Sequence, residues 1–158
     1  DEKFTTAEME HEEFSMRIRK KFSILHQPNI FVKHRFPNFF KLFSTIFLRS
    51  RSWVRLRLFK KVEFGNGVVY TKFNAFITML PLIFVGLLIT SWIYPTLNML
   101  SALIFLAFLI FNWNLFRFFL NFSSFSQTFV YVGIHFCFAL TVGLGAVFGL
   151  LSPWKSKI

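Results

Sequence analysis

Charged side chains are almost absent from the second half of this chain, and no other feature limits its fold as strongly. Between Lys72 and Lys155 the only charged residue is Arg117, which leaves uncharged stretches of 44 residues (73–116) and 37 residues (118–154). One membrane crossing needs about 20 apolar residues. A proline and neighbouring polar residues interrupt the first stretch. The sequence therefore predicts three transmembrane helices, near residues 73–94, 97–119 and 127–151.

The remaining charges are sorted along the chain. Six of the seven acids lie in the first thirteen residues, whereas residues 14–72 hold fourteen Lys and Arg against Glu63 alone. Of the 158 residues, 54% are hydrophobic, which exceeds the roughly 45–50% of an ordinary soluble domain. Because basic segments beside membrane helices stay on the cytoplasmic side, we expect an integral, multi-pass membrane protein with a cytoplasmic N-terminal region.

Residues 36–69 combine basic side chains with large apolar ones at spacings of three and four. This pattern predicts an amphipathic helix in the headgroup plane, with its apolar face toward lipid and its cations toward anionic lipid phosphates. The aromatic content and the position directly before an apolar stretch argue against nucleic acid as the partner. Arginine suits bidentate phosphate recognition, so the candidate phosphate or lipid contacts are Arg49, Arg51 and Arg55, with Trp53 among them.

The first 35 residues are polar and differ from all that follows. Residues 6–21 fit an amphipathic helix, and residues 22–26 and 30–33 are short extended candidates on either side of a turn. A segment this short cannot enclose a core, because domains below about 40 residues rarely fold unaided. We therefore expect it to be the edge of a larger domain.

Four short segments in this order resemble one known family. They are residues 1–4 (DEKF), 10–18 (EHEEFSMRI), 24–34 (ILHQPNIFVKH) and 49–53 (RSRSW). Together they resemble the closing part of membrane-anchored, inverting family 2 glycosyltransferases. The resemblance implies a mainly helical membrane protein with a C-terminal fragment of a GT-A α/β domain (1–35), an interfacial segment (36–69) and three transmembrane helices (70–158).

The resemblance also assigns roles to residues. The family's base is the second residue of an acidic dipeptide; here that position is His11, with Glu10 as the neighbouring alternative. A neutral imidazole can accept a proton near neutral pH. His34 matches the position that approaches the divalent metal or the leaving diphosphate. The resemblance further implies Mg²⁺ or Mn²⁺, held mostly by residues absent from this sequence.

The implied activity is transfer of a sugar from a nucleotide-sugar donor to a lipid-linked or membrane-proximal acceptor at the cytoplasmic face. The missing N-terminal catalytic half would bind the nucleotide. A rival interpretation is a non-enzymatic membrane protein whose basic segment binds anionic lipid or a partner subunit. His135 lies in the third predicted span without a nearby Asp, Glu or second His, so we interpret it as a packing residue.

Overall fold

The structure, a computed structural model, describes residues 18, 21–22, 38–60 and 72–151, and the side chains of all of these except 56–60 and 72–73. The elements are α1 (Phe39–Lys60), α2 (Lys72–Thr90), α3 (Leu97–Phe111), α4 (Trp113–Phe122) and α5 (Phe125–Leu151). A mainly helical protein is therefore confirmed, and the described residues contain no strand. The predicted strand pair lies outside them, apart from its first residue.

Asn38 begins α1. Its side-chain Oδ1 accepts a hydrogen bond from the backbone N–H of Lys41 at 2.9 Å, and its carbonyl oxygen accepts one from Leu42 N–H at 2.9 Å. Asparagine is favoured at this position because the bond satisfies an N–H that has no partner within the helix. α1 then continues for 22 residues, so the helix predicted within residues 36–69 is present.

α2 and α3 form an antiparallel pair. Near the start of α2, the ring centroid of Phe76 lies 6.3 Å from that of Phe111, the last residue of α3. Further along α2, Phe84 lies 5.2 Å from Phe105. Contacts thus move backward along α3 as they move forward along α2. α2 ends at Thr90, before the end predicted near residue 94, and the chain reverses to begin α3.

A sharp break at Asn112 separates α3 from α4, whose axes differ by 62°. The single helix predicted over residues 97–119 is therefore wrong: α3 ends at Phe111, and α4 runs on to Phe122 in a new direction. The side-chain amide of Asn112 donates from Nδ2 to the carbonyl oxygen of Phe108 at 2.8 Å. Asparagine can replace backbone hydrogen bonding in this way, and so favours the end of a helix over its interior.

α5 starts with reciprocal hydrogen bonds between Ser124 and Gln127. The backbone N–H of Ser124 donates to Oε1 of Gln127 at 3.1 Å, and the backbone N–H of Gln127 donates to Oγ of Ser124 at 3.4 Å. This arrangement is a capping box, which satisfies two backbone donors at a helix start. It explains why α5 begins at Phe125.

Within the described part of the chain, α5 is the one unbroken helix that is long and apolar enough to cross a membrane. It has 27 residues, and 22% of its most apolar 18-residue stretch is buried. α2 is a shorter apolar helix, and α3 and α4 pass the same length criterion only if the bent pair counts as one crossing. Three crossings remain a prediction.

The buried apolar core of the described residues is small. It consists of Ile77, Leu80, Phe108, Phe116 and Ala139. Large hydrophobic side chains are exposed on all five helices and in the turn between α2 and α3, among them Trp92, Met99 and Phe129, at 89%, 75% and 74% exposure. Soluble monomers rarely expose contiguous apolar patches larger than a few hundred Å². The apolar side chains of this fold therefore mostly face outward.

Candidate functional site

The residues assigned to catalysis and metal binding lie outside the described part of the chain: Glu10, His11 and His34. Their assignment stays a prediction. Ile18 is described and helical, and its carbonyl oxygen accepts backbone hydrogen bonds from the residues three and four positions later, at 2.9 and 2.8 Å. These bonds agree with a helix that ends near residue 21.

The residues assigned to phosphate or lipid binding all lie on α1: Arg49, Arg51, Trp53 and Arg55. Residues four apart share a helical face, so these side chains form two pairs. Arg51 and Arg55 are on one face and are both half-buried. Arg49 and Trp53 lie on another face, and Arg49 is exposed. The structure thus places two of the three arginines together.

α1 packs on α5 at a glycine seam, which we define as Gly145 and Gly149. A Cβ atom on Gly145 would lie 2.5 Å from the carbonyl oxygen of Phe47 and 2.9 Å from Cβ of Ser50. A Cβ on Gly149 would lie 2.7 Å from the carbonyl oxygen of Arg51. Real Cβ atoms do not approach so closely. The two backbones are therefore in direct contact, as in helix pairs with glycines four residues apart.

Aromatic rings extend this contact along both helices. The ring of Phe43 stacks on that of Phe138 at 4.7 Å, and Phe47 lies edge-on to Phe148 at 5.6 Å. Contacts advance together along α1 and α5, so the two helices run in the same direction. The sequence predicts that the apolar face of α1 meets lipid. Phe43 and Phe47 are half-buried against α5, because the glycine seam gives α1 a protein surface to pack on; contact of this face with lipid stays a prediction.

α5 has a second close contact on its other side. A Cβ on Gly143 would lie 3.3 Å from the carbonyl oxygen of Thr78 and 3.4 Å from Cβ of Leu82, both in α2. Gly143 and Gly145 are two residues apart and therefore point to nearly opposite sides of the helix. α5 is thus held between α1 and α2.

The packing of α1 affects the pKa of Arg55. Burial lowers the pKa of its guanidinium, and the neighbouring positive charge of Arg51 lowers it further. Within the described residues, Nε of Arg55 is buried without a hydrogen-bond partner. A buried donor without a partner is costly, and an anion is the natural acceptor for a guanidinium. The Arg51–Arg55 pair therefore forms a cationic site suited to a phosphate.

A second polar site lies at the helix break. Nε2 of His135 is 3.0 Å from Oδ1 of Asn112, whose Nδ2 donates to the carbonyl oxygen of Phe108. A carbonyl can only accept, which fixes the amide orientation, so we assign Nε2 as the donor to Oδ1. The rings of Phe108 and Phe116 lie 5.6 and 6.0 Å from the imidazole. His135 therefore packs and hydrogen-bonds within the fold, which agrees with its interpretation from sequence.

The described residues contain no group of three or more His, Cys, Asp or Glu side chains that could hold a metal ion. The predicted Mg²⁺ or Mn²⁺ site depends on His34 and stays a prediction. No protein-family model, curated protein or solved structure matches the chain. The function is therefore inferred from the residues and their geometry.

Sequence reasoning missed the glycine seam and the pairing of Asn112 with His135. The signal for the seam was present, because Gly145 and Gly149 have the four-residue spacing typical of close helix pairs. The signal for the pairing was weaker. One asparagine and one histidine, 23 residues apart, become partners only through the packing of α3 and α5.

Proposed function

We propose that this chain is the C-terminal, membrane-embedded portion of a family 2 glycosyltransferase. The parent enzyme transfers a sugar from a nucleotide-sugar donor to a lipid-linked acceptor at the cytoplasmic face. Residues 1–35 form the edge of its GT-A catalytic domain, and α2, α3 and α5 enter the bilayer as a multi-pass anchor. The order of sequence motifs in residues 1–53 supports the enzyme class.

One observation carries the proposal: α1, which has two arginines on one face, packs directly against an apolar helix that is long enough to cross a membrane. A lipid-linked acceptor has a hydrocarbon tail and a charged phosphate, so its site needs an apolar surface beside a cationic one. α5 supplies the first and the Arg51–Arg55 pair supplies the second. Because α1 directly follows the catalytic edge in sequence, a phosphate held there remains near the reacting groups.

In this proposal the described residues bind and orient the acceptor. Arg51 and Arg55 donate hydrogen bonds to the phosphate oxygens, and Arg55 gains the partner that its Nε lacks within the described residues. His11 or Glu10 accepts the proton of an attacking hydroxyl, while an acceptor phosphate, already anionic, needs a weaker base. When bound, the divalent cation stabilises the leaving diphosphate.

A binding experiment tests the acceptor site. The purified chain in detergent micelles is titrated with a long-chain polyprenyl phosphate, and the bound fraction is measured by native mass spectrometry. We expect Arg55→Gln to weaken binding about tenfold, because one charge-assisted hydrogen bond contributes about 1.5 kcal/mol. Lys41→Gln is the matched control: it removes the same charge from an exposed position near the start of α1, and should bind like the unmodified chain.

Two further ligands separate this proposal from the non-enzymatic alternative. The glycine seam that positions the two arginines is formed by α1 and α5 alone, without a contribution from a catalytic domain. This favours a plain lipid-binding anchor as the second candidate. Polyprenol, which lacks the phosphate, should bind at least tenfold more weakly than the phosphate. Equal binding of phosphatidylglycerol and polyprenyl phosphate would favour the alternative.

The catalytic assignment needs membranes that contain the complete gene product. Transfer of radiolabelled sugar from a nucleotide donor to polyprenyl phosphate is measured for His11→Ala and Glu10→Gln separately. The variant that removes the base should lose on the order of 100-fold in rate, the usual contribution of a general base. Unchanged rates in both variants would remove these residues from the mechanism.

A further inference from the structure

α4 differs from the other apolar helices because its side chains are sorted around its axis. Phe116 is 4% exposed, and Phe119 packs against the core and contacts Tyr131 of α5 at 5.0 Å. These residues define the face that meets the protein. All the polar residues of α4 lie on the opposite face.

That polar face consists of Asn114, Arg117 and Asn121, all exposed. Their spacings of three and four place them within a narrow stripe of the helix surface. On both sides of the stripe are exposed apolar residues: Trp113 (56%), Leu120 (39%), Phe118 (54%) and Phe122 (77%). A helix with a protein-facing side, two apolar flanks and one polar stripe fits the boundary between acyl chains and headgroups.

The helix break supports the same placement. If the axis of α4 lies in the membrane plane, the 62° bend allows α3 to tilt from the membrane normal by as little as its complement, about 28°. Transmembrane helices tilt by about 0–40°. The break at Asn112 therefore lets α3 enter the bilayer at an ordinary angle while α4 remains at the surface.

The charge of α4 identifies what its polar face meets. Arg117 is the only charged residue between Lys72 and Lys155, and it stands at the centre of the stripe. A guanidinium at the headgroup level pairs with phosphate oxygens, and the asparagine amides on either side add uncharged donors. Such a face complements an anionic headgroup.

We propose that α4 is an interfacial helix whose Asn114–Arg117–Asn121 face binds the phosphate of an anionic phospholipid headgroup. The inference depends on the membrane placement proposed above, although not on the enzyme class. It assigns α4 a surface role separate from the acceptor site on α1. α1 packs on α5 between residues 138 and 149, whereas the aromatic rings of α4 contact α5 between residues 131 and 135.

Trp113, the first residue of α4, is a built-in probe for the test. A chain that keeps Trp113 and has the other three tryptophans replaced by phenylalanine is reconstituted in phosphatidylcholine vesicles. Each sample contains an equal mole fraction of brominated phosphatidylcholine or brominated phosphatidylglycerol. We expect bromine at a shallow acyl position to quench Trp113 more than bromine at a deep one. Brominated phosphatidylglycerol should be enriched about fivefold over brominated phosphatidylcholine, the ratio expected for one cation at an anionic surface.

Variants assign the enrichment to the polar face. Arg117→Gln should abolish it, whereas Arg117→Lys should retain most of it because the positive charge remains. Lys41→Gln removes the same charge from an exposed position on α1 and should leave the enrichment unchanged. Enrichment that survives Arg117→Gln, or equal loss with Lys41→Gln, would overturn the assignment.

A second single-tryptophan chain separates failure of this inference from failure of the membrane placement. Trp92 lies in the turn between α2 and α3 and is 89% exposed. Quenching of Trp92 without quenching of Trp113 would show a chain in the bilayer with α4 outside it, which overturns the inference alone. Absence of quenching in both chains would contradict the membrane placement as well.

Discussion

The side chains of Asn112 and His135 depend on each other for a hydrogen bond. Both side chains are half-buried, and the rings of Phe108 and Phe116 lie against the imidazole, so water cannot easily replace a lost partner. A buried polar group without its hydrogen bond costs about 1–3 kcal/mol. The Asn112 amide also hydrogen-bonds the last turn of α3. Removal of either side chain should therefore destabilise both the fold and the bend between α3 and α4.

Asn112→Ala should therefore lower the free energy of unfolding by about 1–3 kcal/mol, since it leaves His135 without its partner and the Phe108 carbonyl without its side-chain donor. The measurement is unfolding of the chain in mixed micelles by increasing SDS, followed by circular dichroism. Asn114→Ala is the control, because Asn114 is exposed on α4, and it should change stability by less than about 0.5 kcal/mol.

A double variant makes this prediction specific. Asn112→Ala combined with His135→Phe removes both polar partners, so it should cost less than the sum of the two single variants. Strict additivity would mean that the 3.0 Å contact between Asn112 and His135 contributes nothing to stability.

Among the helices, the pair formed by α1 and α5 depends on the absence of side chains at the glycine seam. Gly145→Ala places a methyl group against the carbonyl oxygen of Phe47 at 2.5 Å, and backbone cannot move as a flexible side chain can. We expect the variant to lose about 1–3 kcal/mol of unfolding free energy, the usual cost of overpacking. SDS unfolding in mixed micelles measures it.

Gly133→Ala is the matched control on the same helix. A Cβ at Gly133 meets nothing within 4 Å, so the variant should be neutral or gain up to about 1 kcal/mol from better helix propensity. If both variants change stability equally, close contact at the seam does not hold α1 in place.

The approximate positions of the helices could be predicted because the second half of the chain has long uncharged, apolar stretches, and such stretches favour helices in an apolar environment. The bend at Asn112 could not, because an asparagine in an apolar run ends a helix only when tertiary packing favours the new direction. His135 supplies part of that packing at 3.0 Å. The periodicity of α3 and α4 does not indicate this packing, because His135 belongs to α5.

The candidate site was predictable to the level of residue type. Basic residues beside aromatic ones indicated that α1 has a membrane-surface role, and Arg51 and Arg55 share a helical face by spacing alone. Which face meets protein could not be read from α1, because the glycines that decide it belong to α5. The catalytic assignments to Glu10, His11 and His34 lie outside the described residues and stay predictions.

The described residues expose far more apolar side chain than they bury. Such a surface favours an apolar environment, and the most apolar 18-residue stretch of α5, of which 22% is buried, contributes strongly to it. Cys137 offers a direct test, because it is the only cysteine in the chain and is exposed on α5.

In intact vesicles, a charged maleimide should label Cys137 at least tenfold more slowly than after SDS is added, because transfer of a charged reagent into hydrocarbon is costly. Mass spectrometry of the chain measures the labelled fraction. The comparison is Ser124→Cys in a Cys137→Ser chain, at the exposed start of α5, which should react before SDS is added. Equal labelling of the two positions in vesicles would contradict the bilayer placement of α5.

The direct backbone contact between α1 and α5 joins the first long helix of the described chain to its last one. α1, which begins after Asn38, is therefore fixed in direction relative to α5. A force on the first turn of α1 would be transmitted directly to α5. A chain cut after Phe122 would keep every residue of α1 and still lose the surface that orients it, so the orientation of α1 depends on residues more than eighty positions downstream.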